Sequence, residues 1–377
     1  MKVGIFETEH YEGAYPVIRL FDIPSNNLVI FTTPETYKRF NDLFKEEANK
    51  FQWVILNTKG RRVGFFRQLY REAKKHRLDI FYINTISSNH LLFAGVIAFL
   101  RKTRIILTLH DINCMFNSRW SWKPRKMAHH IGKRYLLRLV KEFNVVSDTM
   151  ISYLRDKTRG KKIIHNFPGA VFEHKNSSAA INESIHLVIP GSIDKRRRNY
   201  DMVFDLLRLA EEKKLPLRIT ILGGYTDPYG AGIIQKARSF PTHYTTLSFY
   251  ETDVVLQDEF DRQLNDAHFI YIPSVINTTI CFDIPEIYGL SKSSGNVFDV
   301  IKHAKPFIVP KGLRIPETLE SSCFRHVALT DITQFINMLL LEKNKYLHWE
   351  QKALANSTEY TISKLREKNV TLLQGSQ

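Results

Sequence analysis

The sequence predicts an α/β protein built from two doubly wound parallel-sheet domains that face one another across a crevice. Three observations carry this expectation. The chain has 377 residues, 44% of them hydrophobic, enough for two well-filled domains of about 100–200 residues each. Short apolar runs alternate with helical stretches, which is how parallel strands covered on both faces read in sequence. The alternation breaks once, at the polar segment EHKNSSAAINES (residues 173–184), and then starts again.

In order, the strands of the first domain (residues 1–172) are KVGIFET, NLVIFTT, FQWVILN, DIFYINTI, RIILTLHD and FNVVSD. Those of the second (residues 185–345) are IHLVIPG, LRITILGG, TTLSFY, HFIYIPS and PFIVP. Residues 346–377 read as one or two helices that pack back toward the first domain. Each domain is then Rossmann-like. In such sheets ligands bind beyond the carboxyl ends of the strands, so the residues at strand ends are the ones to search.

Composition narrows the setting. MKVGIFETEH reads as a strand followed by acids, not as a signal peptide. The longest apolar run, HLLFAGVIAFL (90–100), is well short of the ~20 residues that span a bilayer. Cys114, Cys281 and Cys323 show no metal-ligand spacing and no disulfide framework, so a reducing, cytoplasmic compartment is expected. The net charge of +16 is uneven: residues 1–180 hold 31 Lys/Arg against 15 Asp/Glu, and residues 181–377 hold 23 against 23. Two segments concentrate the excess. RRVGFFRQLYREAKKHR (61–77) carries seven bases and one acid around Phe65, Phe66, Leu69 and Tyr70. RWSWKPRKMAHHIGKRYLLRLVK (119–141) carries eight bases, no acid and two tryptophans. Basic helices with an aromatic edge suit an anionic membrane surface or a nucleic-acid backbone; peripheral attachment to the inner face of the cell membrane is expected. A solvated helix with core aromatics is the plainer alternative. Nucleic acid is not the expected partner.

The stretch EIYGLSKSSGNVFDVIKHAKPFIVP (286–310) follows the strand HFIYIPS. Val297, Ile301 and Ala304 recur at helical spacing from a start near Ser294, and FIV reads as a covered strand. Ser293, Ser294 and Gly295 would leave first-turn N–H groups free for a phosphate. An ordinary N-cap serine before a flexible glycine reads the same way. Two further strand ends converge there. VIPGSIDKRRRNYD (188–201) offers Gly191 and then Lys195, Arg196, Arg197 and Arg198. ILGGY (221–225) offers paired glycines, of which Gly223 permits close backbone approach by a ligand. Together they make a diphosphate cradle, although a charge run after a strand also marks a solvated helix start. In the first domain FETEHYEGAYP puts Glu7, Glu9, His10 and Glu12 near a strand end, and LTLHD does the same for His110 and Asp111. No Asp-x-Asp pair or histidine cluster offers a metal site, and His129–His130 reads as surface because adjacent helical side chains diverge.

On these residues the chain resembles, over nearly its whole length, the two-domain GT-B glycosyltransferases, in particular the bacterial family-4-like enzymes that build surface polysaccharides. Glu286, Tyr288, Gly289, Lys305 and Pro306 match the family's E-x-F-G, helix, G-K-P pattern. SSG is similar to the Ser-Gly that opens its phosphate-binding helix, and LTLHD to its first-domain HD strand end. VVSDTMISYL (145–154) and IIHNFP (163–168) resemble the segments leading out of the first domain. GSIDKRRRNYD stands where the family carries G-R-x(4)-K. The resemblance implies a sugar donor linked to UDP or GDP, with its diphosphate on Ser293, Ser294 and Gly295 and its sugar hydroxyls on Glu286. Tyr288 and Gly289 would shape the intervening turn, and His110 and Asp111 would line the crevice. It further implies an acceptor, lipid-linked or glycan, held by the first domain, and no metal or cofactor.

The chain departs from the pattern in three places. Ser294 stands where retaining members have a second Glu, Ser192 stands where they have an Arg, and no glycine-rich loop follows the first strand. Arg196 or Arg197 would replace the missing Arg. An inverting enzyme would need a general base, for which Glu9, His10, Asp111 and Glu7 are candidates. Three readings follow: a membrane-associated glycosyltransferase, an enzyme of the same fold acting on another anionic acceptor such as DNA, and a non-catalytic subunit that binds a partner.

Overall fold

The computed structural model describes residues 1–118, 120, 122–173, 180–281 and 283–374. Arg119 of the second basic segment and residues 174–179 of the expected linker lie outside the described residues. The first sheet contains β1 (Lys2–Phe6), β2 (Asn27–Thr32), β3 (Gln52–Ile55), β4 (Ile80–Ile83), β5 (Arg104–Leu109), β6 (Glu142–Val145) and β7 (Ile163–Asn166). All seven run parallel in the order β3-β2-β1-β4-β5-β6-β7. Alternate residues feed two cores. Phe6, Phe31, Phe81 and Phe143 pack with Phe66, Phe93 and Leu136 under the helices Arg62–His76, His90–Phe99 and Pro124–Leu139. Ile5, Ile30 and Tyr82 pack on the opposite face with Phe21 and Phe40. Burial on both faces is why these strands are apolar throughout.

The second sheet repeats the design with β8 (Ile185–Pro190), β9 (Leu217–Leu222), β10 (Thr245–Phe249), β11 (Phe269–Tyr271), β14 (Phe307–Pro310) and β15 (Cys323–His326). Its order is β10-β9-β8-β11-β14-β15, again parallel. In both sheets the first strand lies third and the strand order reverses beside it, which opens a ligand crevice beyond the β1/β4 and β8/β11 ends.

The remaining strands, β12 (Asn277–Ile280) and β13 (Ile284–Ile287), form an antiparallel hairpin with Thr278 opposite Glu286. Glu286 therefore stands on a strand. Only the residues from Tyr288 onward form the loop into the helix Gly295–His303. The cysteines also differ from expectation. Cys114 of the first domain and Cys281 of the hairpin are joined as a disulfide across 167 residues, their Cα atoms 6.0 Å apart, while Cys323 is free and buried. Sequence separation hid the pairing, because only the closed arrangement of the domains brings the two residues together.

The chain ends on the domain where it began. After the helix Asn344–Thr358, the helices Ile362–Lys368 and Val370–Leu373 send Leu365 and Leu372 into the first domain's core. Arg366 donates to the carbonyls of Arg19 (2.6 Å), Leu20 (3.1 Å) and Asp22 (2.6 Å). Arg104 pairs with Glu142 and donates to the carbonyls of Thr371 and Gln374. No helix among the described residues is long and apolar enough to cross a membrane.

Candidate functional site

At the end of β1, Glu7 is fully buried. Its Oε1 accepts the backbone N–H groups of Thr8, Glu9 and His10 (2.7, 2.6 and 2.9 Å), and its Oε2 accepts Asn84 Nδ2 (2.7 Å). It thus fills, with its own carboxylate, the N–H nest before the helix Tyr11–Phe21 that would otherwise hold an anion. A carboxylate with four donors acts as a structural cap. Glu9 and His10 are exposed on the same turn, and Glu9 accepts the Ser87 hydroxyl. His110, at the end of β5, has Nε2 3.2 Å from the Asn84 carbonyl, and its ring lies 6.3 Å from that of His10. Burial, followed by the neighbouring His10, pushes the His110 pKa down.

The second-domain cradle is built by close backbone approach. Gly191 has φ +90° and Gly289 φ +76°, left-handed backbone that favours glycine. A Cβ on Gly223 would lie 2.1 Å from the Gly191 carbonyl. The closeness that Gly223 permits is therefore between two strand-end loops. Ser294 is the buried N-cap of the helix Gly295–His303 and makes no side-chain cap bond, while Gly295 is exposed with open space where its Cβ would be. Ser293 donates its N–H to the His110 carbonyl across the crevice (3.2 Å).

Of the four successive cations, Arg198 is the one turned inward. Its Nη1 donates to the Ser192 carbonyl (2.7 Å), and its Nη2 to the Pro190 carbonyl and to Asn296 Oδ1 (3.1 Å) on the helix's first turn. Its buried Nε–H has no acceptor among the described residues. The side chains of Arg196 and Arg197 stay largely exposed, each near Asp194 (3.5 and 3.3 Å). Burial disfavours the Asp194 charge, but the Arg196 N–H and the two guanidiniums outweigh it and lower its pKa. Sequence reasoning had chosen Arg196 and Arg197. Which of four adjacent cations turns inward depends on loop geometry that no spacing rule supplies.

Between the two domains runs a clasp. Glu286 is fully buried: Oε1 accepts the Cys114 N–H (2.7 Å), and Oε2 accepts the Ser291 hydroxyl, which in turn accepts the Ile287 N–H (2.9 Å). Burial pushes its carboxyl up to about 7, against the pull of those two donors. In this structure neither Glu286 oxygen is free for a sugar hydroxyl. Asp111 pairs with Lys292 (2.5 Å), Ile112 N–H donates to the Ser291 carbonyl (2.8 Å), and Asn113 Nδ2 to that of Pro285 (3.0 Å). Tyr288 belongs to the second domain's core, with the Lys292 amine 5.5 Å from its ring centre. Buried Lys133 donates to the Cys114 carbonyl, and burial brings its pKa down to about 8. Lys292 and Lys133 gave no sequence signal beyond their charge.

The apolar edge of the basic face differs in part from the one expected. Phe66 and Leu69 belong to the core, and Phe65 and Tyr70 are half-buried. Exposed apolar groups there include the two expected tryptophans, Trp120 (50%) and Trp122 (85%), together with Val63 (58%), Phe99 (69%), Leu91, Ile131 and Tyr135, on or beside three helices that pack side by side. Arg67, Arg71, Lys74 and Lys75 are exposed among them. His129 leans edge-on against buried His90, ring centres 4.5 Å apart, while His130 bonds to Ser118. The two histidines do diverge, but both are engaged by protein.

No protein-family pattern matches this chain, and no curated protein sequence is detectably similar to it. Solved structures are. A sucrose-phosphate synthase from Thermosynechococcus elongatus superposes with a TM-score of 0.65 at 13% identity, covering 99% of this chain and 98% of its own. A UDP-GlcNAc 2-epimerase from Neisseria meningitidis, bound to UDP-GlcNAc, gives 0.56 at 14% identity and 99% of both chains. The MnaA protein of S. aureus, in complex with UDP, gives 0.56 at 13% identity, covering 99% and 97%. At such identities the likeness speaks for architecture alone. The chain has the two-domain GT-B fold.

Proposed function

We propose that this protein transfers a sugar from a nucleoside-diphosphate donor, UDP- or GDP-linked, to a lipid-linked or glycan acceptor, in the manner of the family-4-like enzymes and at an anionic membrane surface. One observation carries the reading: the open first turn of the helix Gly295–His303 sits against Arg198, a buried cation whose Nε–H lacks an acceptor among the described residues. A diphosphate leaving group gathers negative charge as the glycosidic bond breaks, and fixed N–H groups and guanidiniums stabilise that charge without reorganising. Arg196 and Arg197 are close enough in sequence to swing from Asp194 onto the phosphates. Glu9 or His10, exposed at the facing strand end, would take the acceptor's proton. The basic face with Trp120, Trp122 and Phe99 at its edge supports the membrane setting.

Gly295→Asp tests the reading because its two expected effects have opposite signs. The new Cβ meets open space, and a carboxylate in the first turn should stabilise the helix by about 0.3–1 kcal/mol. The same carboxylate would occupy the phosphate site, so calorimetry should show UDP or GDP binding weakened at least tenfold. Unchanged affinity in the variant would remove the helix from the donor site. A second reading, a non-catalytic subunit of the same fold, is favoured by the full engagement of Glu286. Absence of sugar release from UDP- and GDP-sugars by a protein that binds both nucleotides would support it.

A further inference from the structure

Beside Glu9 the first domain opens a cavity of about 240 Å³ at the carboxyl ends of β1 to β4. Its floor is aromatic: Phe65 and Phe66 lie 5.2 Å apart, and Phe66 and Phe93 4.8 Å, ring centre to ring centre. Glu9 is the single carboxylate in its lining, which also holds Arg61 and Arg62 at the start of the helix Arg62–His76. That helix has no side-chain cap and no acid in its first turn, so nothing in its own sequence offsets the two cations or the positive end of the helix. Some arginines at strand and helix ends are satisfied by the protein. Arg19 bonds Glu47, Arg104 bonds Glu142, and Arg198 bonds carbonyl oxygens. Arg61 and Arg62 have no such acceptor among the described residues.

We propose that this cavity binds the phosphoryl group of an amphiphilic acceptor, an ester of phosphate with an apolar chain. The inference rests on the reading of the first domain as the acceptor-binding half. The two guanidiniums take the phosphoryl oxygens, by bidentate, charge-assisted bonds where geometry allows. The first carbons of the chain lie on the phenylalanine floor. A cavity smaller than the usual 300–1,000 Å³ ligand pocket holds only the head of such a molecule. The rest of the chain leaves past exposed Val63, on the face that carries Phe99 and the bases. Held so, the acceptor presents the group next to its phosphate toward Glu9.

The test uses the full-length protein and three probes below their aggregation limits: decyl phosphate, decanol and inorganic phosphate. Calorimetry should show decyl phosphate binding at least tenfold more tightly than either of the others. Arg61→Ala with Arg62→Ala should weaken decyl phosphate at least tenfold, a change equivalent to about 1.4 kcal/mol, and leave UDP affinity unchanged. Arg61→Lys with Arg62→Lys should recover part of the loss, which separates charge from folding. Equal binding of decyl phosphate by the wild type and the alanine variant overturns the site. Inorganic phosphate bound as tightly as decyl phosphate overturns the amphiphile. A protein that binds decyl phosphate through these arginines but binds neither UDP nor GDP keeps the site and loses the donor reading instead.

Discussion

Replacing Glu286 by glutamine should stabilise the protein, and by an amount that depends on pH. The carboxyl is fully buried and its pKa is pushed from 4.5 up to about 7, so the ionised form is held in the fold at a cost. At about 1.4 kcal/mol per unit, that cost is about 3 kcal/mol once the group is ionised. The sign follows from proton binding. Between pH 4.5 and about 7 the folded state holds a proton that the unfolded chain has released, so wild-type stability falls as pH rises through that window and then levels off. Glutamine has no such titration. Its oxygen can still accept the Cys114 N–H, and its amide can donate to the Ser291 hydroxyl, which reorients. The variant's advantage should therefore be small near pH 4.5 and approach about 3 kcal/mol near pH 8. Urea unfolding of both proteins at the two pH values measures it, and taking the difference cancels every group the two share. An advantage of equal size at both pH values, or a variant less stable than wild type near pH 8, would refute the account of Glu286 as a buried, reluctant anion. Turnover, assayed on the same samples, should fall if opening of the clasp lets Glu286 reach the donor sugar.

Reversing Arg67, Arg71, Lys74 and Lys75 to Glu should cut binding to vesicles containing anionic lipid by on the order of a hundredfold or more, since each base near such a surface contributes about 1 kcal/mol. Cosedimentation of the full-length protein measures this, and unchanged binding, or retardation of DNA in its place, would defeat the membrane assignment. Reduction of Cys114–Cys281 should lower the unfolding free energy by up to about 5 kcal/mol, because the bridge closes a loop of 167 residues. Cys281→Ser should show the lowered value without reductant and no response to it. A wild type indifferent to a dithiol reductant would count against the bridge.

The parallel strands of both sheets were legible because burial on two faces makes them apolar at every position, as in IFYI of β4 and FIY of β11. The edge strands β7 and β15 were not. IIHN and CFRH mix polar with apolar residues, whereas the other two edges, β3 and β10, are still marked by aromatic and β-branched residues. The hairpin escaped for another reason: IPEI carries a proline, and its turn lacks the Asn-Gly or Asp-Gly that marks a tight hairpin. At the site, the helix start at Ser294–Gly295 could be located because capping is local. The partners of Glu7, Glu286 and Arg198 could not, since an acid or base at a strand end reads the same whether it faces a ligand or its own backbone. Only packing tells a carboxylate that caps an N–H nest, such as Glu7, from one left at a cavity rim, such as Glu9.

The return of the chain to its first domain has a consequence for biosynthesis. Leu365 and Leu372 complete a core whose other members precede residue 172, and the carbonyls of residues 371 and 374 satisfy Arg104. A ribosome adding about 5–20 residues per second needs roughly 10–40 s to go from the end of the first domain to those last turns. Through most of that interval the first domain lacks Leu365 and Leu372 from its core. The first domain's core is therefore completed only after the second domain has been made. The basic half waits, incomplete, on residues 365–374, and a nascent chain stalled in the second domain would be a substrate for chaperones.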